Sequence, residues 1–336
     1  MADDNSVSLD DLINRAVARQ GNGDLRSAIS LNYWGLNKFA TKGTLLPANR
    51  DDMGLVLFTR PLLNLTYNNL TRHPKFEVLL DKQPNSIPSA IRMMLDPQGT
   101  NDTGVKSSLF DNRQAFIPIL TNTIQTLGGI PDATIRSYTS PEGMRKETWS
   151  KPDDIYEING NYPISATFDN IIGDPVSLLF DIWMTYQSEV TIGDRWIQPR
   201  MAAMLDDYKD YETRIYRLVL DDQYRKVNKI SACIAGFPTS FPSGNMFNYK
   251  RVEDTRLNAD TRTIDVQFDF TGFRYNESTL VRDFNRTVVM FNKLMDPKVR
   301  KSHYIKIPRS KLMEFNFFGY PYIDETTHEL EWYIER

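Results

Sequence analysis

The chain has very little cysteine and histidine, and these shortages exclude most disulfide and metal chemistry. Its 336 residues include one cysteine, Cys233, and three histidines. A lone thiol forms no intramolecular disulfide and no cysteine-based zinc site, and it is typical of a protein that folds in a reducing cytoplasm. His73, His303 and His328 are scattered and have no partner at a metal-ligand spacing. We therefore expect no metal site, and we expect Cys233 to be a small buried core residue.

Long apolar runs are also absent. No stretch approaches the ~20 apolar residues that a membrane helix needs, and residues 1–11 are acidic and polar, unlike a secretory signal. The net charge of -3 provides no overall attraction to nucleic acid. We therefore expect a soluble chain that is made in the cytoplasm and does not contact a membrane.

Recognisable catalytic motifs are missing too. The sequence contains no G-x-x-x-x-G-K-[ST], G-x-G-x-x-G, H-E-x-x-H or G-x-S-x-G motif. Two acidic clusters remain, one with Asp206, Asp207, Asp210 and Glu212, the other with Asp153, Asp154 and Glu157. The first lacks the spacing of an EF-hand and fits a solvated loop. The second could supply the carboxylate pair of a glycosidase, so a glycan-binding or glycan-cleaving module stays open as the alternative. We expect no catalytic residue and no cofactor.

The first region, residues 1–115, is predicted to be a mixed, helix-rich N-terminal adaptor. A short helix is expected to begin near Ser8, and Leu55–Phe58 is typical of a buried strand. Lys75–Leu80 and Ile87–Leu95 are predicted to be helical, with prolines near their starts. Gln98–Asn112 is rich in Gly, Asn, Ser and Asp and predicts a linker, which places a domain boundary there.

Residues 116–295 are predicted to form a β domain with packed helices, followed by an aromatic C-terminal extension over residues 296–336. The predicted strands are Thr134–Tyr138, Ile164–Phe168, Thr213–Leu220, Val227–Ala235 and Thr263–Thr271, and the predicted helices are Asp174–Gln187 and Ser278–Leu294. Asp174 is expected to cap its helix, and Val176, Leu179, Phe180 and Trp183 form its apolar stripe. The whole chain therefore reads as α+β, with an antiparallel β-sandwich or curled sheet.

The strand Thr263–Thr271 has the clearest alternation in the chain. Apolar side chains occupy every second position from Ile264 to Phe270, so one face of the sheet is expected to be buried. Asp265, Gln267 and Asp269 occupy the other face, which is expected to be wet or interfacial.

A connection of more than twenty residues, Thr139–Tyr162, lies between two predicted strands. Connections of this length are usually functional or disordered. This segment, called the arm below, contains Arg145, Trp149 and Tyr156, which are residue types that dominate protein interfaces. A solvated hairpin and a ligand-binding loop are the alternatives. We favour a contact arm because its large aromatic side chains need somewhere to be buried.

The order of these elements resembles the tube fold of contractile bacteriophage tails and related injection machines. The run Ile230–Ser240 (ISACIAGFPTS), followed by Ile264–Phe270 (IDVQFDF), is similar to the paired strands of tube subunits. The resemblance covers about residues 129–276, which is less than half of the chain.

The resemblance implies a non-enzymatic virion protein that assembles in the host cytoplasm into a homo-hexameric ring. Curled sheets of neighbouring copies would join around a channel, which would also pair their open edges. Asp265, Gln267 and Asp269 would line that channel, through which DNA passes without specific binding. Arg145, Trp149, Tyr156, Tyr224 and Arg225 would form the assembly interface, with the arm stacking on the next ring.

The chain also departs from the pattern of a plain tube subunit, which does not need residues 1–115 or the C-terminal extension. Extra elements of this kind suit a ring that contacts additional tail tube and baseplate proteins. A tube initiator between baseplate and tube is therefore favoured over an enlarged tube subunit.

Overall fold

The computed structural model describes residues 51–97, 107–153, 159–195, 197, 209–244, 247 and 262–336. The chain divides into two compact units, residues 1–51 and residues 52–336. The description below concerns the second unit. The helix predicted near Ser8 and most of the predicted linker Gln98–Asn112 lie outside the described residues.

The second unit mixes helices with antiparallel strands, which confirms the predicted α+β class. The strands are β1 (Asp52–Phe58), β2 (Ile124–Gly128), β3 (Ser137–Thr139), β4 (Ser150–Pro152), β5 (Asn161–Asp169), β6 (Ile215–Leu220), β7 (Val227–Ser240), β8 (Thr263–Tyr275), β9 (Tyr304–Lys306), β10 (Tyr320–Ile323) and β11 (Leu330–Glu335). The α-helices are α1 (Tyr67–Leu70), α2 (Ile87–Leu95), α3 (Pro118–Thr123), α4 (Pro175–Ile192), α5 (Ser278–Phe291) and α6 (Arg300–His303). Short 3₁₀ helices lie at Pro74–Leu80, Lys293–Met295 and Arg309–Lys311.

The main sheet has six strands in the order β1-β6-β7-β8-β5-β2, and every neighbouring pair is antiparallel. Strands β10, β11 and β9 form a second sheet, and β3 pairs with β4 alone. Strand β1 comes from the region predicted to be a separate adaptor, yet it pairs with β6 of the predicted β domain. Residues 52–336 accordingly form one compact unit without a break at residue 115.

The main sheet is strongly curled. Phe58 in β1 and Phe168 in β5 lie four strands apart in the sheet order, yet their ring centroids are 5.9 Å apart. A flat sheet with roughly 4.8 Å between strands would hold these strands about 19 Å apart. Phe58 also lies 5.8 Å from Phe268 in β8. Only a sheet that bends around its buried face brings these rings together.

Helix α4 packs against this buried face, as its apolar stripe predicts. Val176, Leu179, Phe180 and Trp183 are fully buried. The ring of Phe180 lies 5.5 Å from Phe168 and 5.8 Å from Phe268, measured between centroids. Burying these four side chains is worth roughly 6–12 kcal/mol as an upper bound.

The first turn of α4 differs from its prediction in one detail. Asp174 occupies the N-cap position, but its backbone has a φ of 49° and its side chain makes no capping hydrogen bond. The carboxylate instead accepts a hydrogen bond from Asn170 Nδ2 at 2.6 Å. The helix start therefore relies on Pro175, whose ring presets a helical φ and whose missing N–H costs nothing there.

Helix α5 and the second sheet cover the opposite face of β6 and β7. Phe284 of α5 stacks on Phe116 with a centroid distance of 5.1 Å and meets Tyr216 of β6 edge-on at 5.4 Å. Asn285 donates to the carbonyl of Ile323 at 2.7 Å and accepts from its N–H at 2.9 Å, so it completes the backbone bonding of β10. The C-terminal extension is thus an integral layer of the unit.

Several other predicted boundaries need adjustment. The helix expected over Lys75–Leu80 is a 3₁₀ helix, and the closing helix ends at Phe291 because Asn292 begins a separate 3₁₀ turn. The strand expected over Thr134–Tyr138 is confined to Ser137–Thr139. Within the described residues, no helix is long and apolar enough to cross a membrane.

Candidate assembly surfaces

The arm contains a small exposed hairpin. Strands β3 and β4 pair only with each other, with Ser137 opposite Pro152 and Thr139 opposite Ser150, and all their residues are exposed. The Ser140 N–H donates to the Trp149 carbonyl at 2.8 Å, and the Gly143 N–H donates to the Glu147 carbonyl at 3.0 Å, so the hairpin narrows to a tip at residues 143–147. We call residues 136–153 the arm hairpin. A two-stranded hairpin is at best marginally stable alone in water, so this one needs a partner surface to hold it firmly.

Two aromatic rings on the arm hairpin hold each other in place. The centroids of Tyr138 and Trp149 are 5.9 Å apart, and Lys151 Nζ lies 5.7 Å from the first ring and 5.9 Å from the second. Trp149 nevertheless remains 57% exposed, and Met144 at the tip is fully exposed. Such a preordered, solvent-facing indole loses little conformational entropy on binding, which is the property of an interface anchor.

The base of the arm is fixed to the main sheet. Gly129, which follows β2, has a φ of 92°, and a Cβ there would lie 2.6 Å from the carbonyl oxygen of Pro163. Only glycine fits this close approach. The Tyr275 hydroxyl donates to the Pro131 carbonyl at 2.5 Å. The chain therefore leaves the sheet in a defined direction before the arm hairpin begins.

The structure describes two of the three arm residues that were predicted to form the assembly interface. Arg145 lies at the exposed tip and Trp149 on β4's side of the hairpin. Tyr156 and the acidic residues Asp154 and Glu157 lie outside the described residues.

The turn between β6 and β7 holds the other two predicted interface residues. Tyr224 has a left-handed φ of 53° and is exposed. Its hydroxyl donates a hydrogen bond to the Asp52 carboxylate, which raises the pKa of the phenol. Arg225 donates from Nε to Glu329 at 2.5 Å and accepts at its carbonyl from the Leu330 N–H at 3.0 Å. Arg225 therefore ties the turn to the second sheet of its own chain.

The strand directions bring the arm and this turn to one end of the main sheet. The arm leaves β2 after Gly128 and returns at Asn161, which lies opposite Thr271 near the end of β8. Strand β7 begins at the 221–226 turn and is antiparallel to β8, so the turn lies at the end where β8 finishes. The assignment of these residues to one contact surface stays a prediction.

The three residues predicted to line a channel lie on one face of β8. Asp265 and Gln267 are exposed and Asp269 is half-buried, while the alternating residues from Ile264 to Phe270 are fully or almost fully buried. In the neighbouring strand β5, Thr167, Ser165 and Pro163 lie directly opposite them. The Thr167 hydroxyl donates to Asp265 at 2.6 Å. The result is a hydroxyl- and carboxylate-bearing face, whose channel role remains a prediction.

A large apolar groove, which the sequence did not reveal, runs along strand β1. Its volume is about 1270 Å³, and it lies between β1, the segment 107–114 and the C-terminal loop 313–319. Leu55, Leu57, Phe116, Leu220 and Trp332 line it. We call it the edge groove. Its C-terminal loop lies about 200 residues or more beyond the other two components in sequence, so no local pattern could have indicated the groove.

The buried guanidinium of Arg60 shapes one wall of the edge groove. Its Nε donates to the Met94 carbonyl at 3.0 Å, and its Nη1 donates to the carbonyls of Asn112 at 2.6 Å and Gln114 at 2.9 Å. It also lies 5.0 Å from the ring centroid of Phe110. Burial lowers the pKa of Arg60, and the carboxylates of Asp96 and Asp111 oppose this effect. A cation enclosed by its acceptors fixes the 107–114 segment in place.

Of the two predicted acidic clusters, the structure describes only Asp153, Asp210 and Glu212. Asp210 is buried and accepts a hydrogen bond from the Tyr186 hydroxyl at 2.5 Å, while burial raises the pKa of Glu212. Asp153 is exposed, and Asp206 and Asp207 lie outside the described residues. In the described part of the chain, no group of three or more His, Cys, Asp or Glu residues is arranged to hold a metal ion.

His73 and His328 form hydrogen bonds within the chain. His73 Nδ1 accepts a hydrogen bond from the Lys75 N–H at 3.2 Å, and its Nε2 lies 3.8 Å from Glu189. His328 has a left-handed φ of 55°, as suits a turn residue, and its carbonyl accepts from the Val227 N–H at 2.9 Å.

An exposed aromatic hairpin, an open apolar groove and a polar sheet face are features of proteins that work by contact with other proteins. A family model described as "Putative phage tail tube protein" matches residues 2–336. The chain therefore belongs to this phage tail tube family, which makes it a structural component of a virion tail. The predicted family is confirmed. No protein among the curated sequences matches the chain.

Solved structures give weaker likenesses. The anti-feeding prophage cap (AFP tube terminating cap) is 9% identical, with a TM-score of 0.28 over 48% of this chain and 81% of that one. The sheath/tube terminator of the extracellular contractile injection system PVC, in its extended state, is 13% identical, with a TM-score of 0.28 over 48% of this chain and 88% of the other. A chain of the sheath-tube complex of PVC has a TM-score of 0.25 at 13% identity over 48% of this chain and 82% of that one.

Proposed function

We propose that this chain forms a homo-hexameric ring in the phage tail tube or at the junction of tube and baseplate, where it acts as a tube initiator. The observation that carries the proposal is the arm hairpin, which presents Trp149 to solvent from a fixed base at one end of the curled sheet. Within its own chain Trp149 remains 57% exposed, so only part of its apolar surface is buried there. Stacking it on a neighbouring ring would bury it.

The edges of the curled main sheet are an argument for the proposed ring. Strands β1 and β2 lie at the two ends of the sheet order, and each pairs with one strand of the sheet. The outer edge of β1 is occupied at its end, because the Phe58 carbonyl accepts a hydrogen bond from the Ile117 N–H at 2.9 Å. Edge strands of this kind are templates for pairing with another chain, and closure of a ring would use them. Helix α4 would then lie outside, and the face with Asp265, Gln267 and Asp269 would line the channel. Carboxylates there would repel the phosphates of passing DNA, so DNA would pass without specific binding.

The additional elements favour the tube–baseplate position over a plain tube subunit. The C-terminal sheet packs on α5. Arg113 also forms an ion pair with Glu335 of this sheet, with 2.8 Å between Nη2 and Oε2. These layers enlarge the unit beyond its main sheet and provide further surface for baseplate and tube proteins. Assembly would take place in the host cytoplasm before the tail is complete.

Electron microscopy of the purified protein at increasing concentration tests the ring. We expect rings or stacked rings with a central hole. Particles that remain monomeric at every concentration would contradict self-assembly by this chain.

The arm is tested by Trp149→Ala combined with Tyr156→Ala. We expect loss of ring stacking while circular dichroism shows an unchanged fold, because Trp149 is 57% exposed and its described ring contacts are with Tyr138 and Lys151 of the arm hairpin. The matched control is Phe247→Ala, which removes another highly exposed aromatic ring. Stacking that survives the arm substitutions would refute the contact arm.

A further inference from the structure

An asparagine followed by a glycine lies where the arm returns to the main sheet. The pair is Asn159–Gly160, and both residues are exposed. They directly precede Asn161, the first residue of β5. Asparagine is one of the chemically labile residues, and a following glycine has no side chain to shield the asparagine carbonyl from the next backbone nitrogen. The chain's other such pair, Asn22–Gly23, lies outside the described residues.

The folded structure leaves the reacting backbone group available. The Gly160 carbonyl accepts a hydrogen bond from the Gly272 N–H at 2.9 Å, which fixes the sheet side of the pair. Within the described part of the chain, the Gly160 N–H donates no hydrogen bond. Asparagine side chains readily reach neighbouring backbone N–H groups. The Gly160 nitrogen can therefore turn towards the side-chain carbonyl of Asn159.

We propose that Asn159 is a site of non-enzymatic modification, at which asparagine is converted to a mixture of aspartate and isoaspartate. The backbone nitrogen of Gly160 attacks Cγ of Asn159, and the new N–Cγ bond closes a five-membered succinimide ring. The side-chain nitrogen leaves as ammonia and takes the proton of the Gly160 N–H. Water then adds to one of the two ring carbonyls and opens the ring. Ring closure joins two groups of the same chain, so proximity replaces an enzyme, and water is the only co-reactant.

The position of Asn159 gives the modification a consequence for the arm. Strand β5 is held from Asn161 onward, where Asn161 lies opposite Thr271 and its Oδ1 accepts from the Thr271 hydroxyl at 2.9 Å. In isoaspartate the backbone runs through the side-chain carbon, so one atom is added between the arm and this fixed strand. Both products also add a negative charge at the base of the arm. We expect the return of the arm to be redirected and ring stacking to be weakened. This consequence, unlike the modification itself, rests on the proposed function.

Ageing of the purified full-length protein in mildly alkaline buffer, followed by peptide mass spectrometry, tests the site. Conversion of the amide to an acid raises the peptide mass, and fragmentation of the backbone distinguishes isoaspartate from aspartate. We expect the mass gain at Asn159 and not at Asn161, which is also exposed but is followed by the bulky Tyr162. Gly160→Ala is the matched variant, because a Cβ there meets only the end of the Tyr162 side chain, at 3.3 Å. Its fold should be kept, while modification of Asn159 falls to the rate at Asn161.

Two results would overturn the proposal. One is an unchanged mass at Asn159 after a period in which a synthetic peptide of residues 155–164 is fully converted. The other is an equal rate of modification in the wild type and in Gly160→Ala. The mass measurement does not depend on assembly, so its failure leaves the proposed ring untouched.

The consequence for the arm is tested with Asn159→Gln, whose longer side chain would have to close a larger and slower-forming ring. Electron microscopy should show that the aged wild type loses ring stacking, whereas aged Asn159→Gln retains it. Equal loss in the two proteins would refute the effect on the arm. Freshly purified wild type that never stacks would contradict the proposed function, and the site at Asn159 would then be decided by mass spectrometry alone.

Discussion

The ring of Phe270 lies on the α-carbon of Gly236, its direct partner across strands β7 and β8. A Cβ at Gly236 would lie 2.1 Å from Phe270 Cδ1, which is far inside van der Waals contact. Phe270 is fully buried and stacks on Phe268 with a centroid distance of 5.5 Å, so any movement of its ring disturbs the packing of the core. Glycine is therefore a packing requirement at this point of the strand.

Gly236→Ala is expected to lower the free energy of unfolding by about 1–3 kcal/mol, as overpacking of a core does. Urea denaturation followed by circular dichroism measures the change. Gly244→Ala is the control, because no atom of the described residues lies within 4 Å of a Cβ at that position. Equal stability of the two variants would show that β7 and β8 accommodate the added methyl group without a measurable loss of stability.

Phe58→Ala tests whether the curl of the sheet depends on its central aromatic cluster. The fully buried ring contacts Phe168 and Phe268 from distant strands, and its removal leaves a cavity between them. We expect a loss of about 3–5 kcal/mol in the free energy of unfolding. Phe247→Ala, at an exposed position, should change stability by less than about 0.5 kcal/mol. Losses of similar size in both variants would contradict the role of Phe58.

Local periodicity predicted the elements whose packing repeats along the chain. The alternation at Ile264–Phe270 gave the buried and exposed faces of β8, and the stripe from Val176 to Trp183 gave the packed face of α4. In both cases a side chain's orientation depends mainly on its position within its own strand or helix. Asp174 was also predicted at the N-cap of α4, where it lies, although its capping hydrogen bond is absent.

Features that depend on distant residues could not be predicted in this way. Strand β1 joins the main sheet through β6, whose partner residues follow some 160 positions later. The edge groove combines three segments from both ends of the chain, and the pairing of Arg225 with Glu329 uses a residue of the C-terminal sheet. Composition identified the arm as exposed and aromatic, but no local pattern indicated the edge groove.

Cys233 is predicted to be unreactive in the folded protein. Its fully buried Sγ accepts a hydrogen bond from the Ile215 N–H at 3.1 Å, and burial raises the pKa of the thiol to about 12. A thiol reagent at pH 8 should therefore label Cys233 only at the rate at which the protein opens, and urea should accelerate labelling in parallel with unfolding. Rapid labelling in native buffer would show that the site is accessible.

The same pKa shift predicts a pH dependence of stability. The unfolded thiol ionises near pH 9 and the folded thiol near pH 12, so the unfolded state binds fewer protons between these values. The stabilisation from the neutral thiol is complete below pH 9 and is lost as the pH rises toward 12. Buried tyrosines ionise in the same range, so the measurement compares wild type with Cys233→Ala. The stability difference between the two proteins should shift in favour of the variant as the pH rises, and a constant difference would contradict the assignment.

Charge reversal on the polar face of β8 tests the proposed channel. Asp265 is exposed and Asp269 half-buried, so Asp265→Lys with Asp269→Lys should fold, although the hydrogen bond that Thr167 donates to Asp265 is lost. If these residues line a channel that DNA crosses, assembled wild-type rings should not retain DNA, whereas the variant should retain it at low salt and release it as salt rises. A gel-shift titration at several salt concentrations measures both effects.

The matched control for this reversal is Glu77→Lys with Asp132→Lys, which makes the same change in net charge at two other exposed positions. Rings of this control should retain less DNA than rings of the β8 variant, because its added lysines lie outside the face of β8 and do not converge on a shared axis. Retention by the control equal to that of the β8 variant would mean that net charge alone governs binding. In that case Asp265 and Asp269 would belong to an ordinary outer surface, and the orientation of the sheet within the proposed ring would have to be reversed.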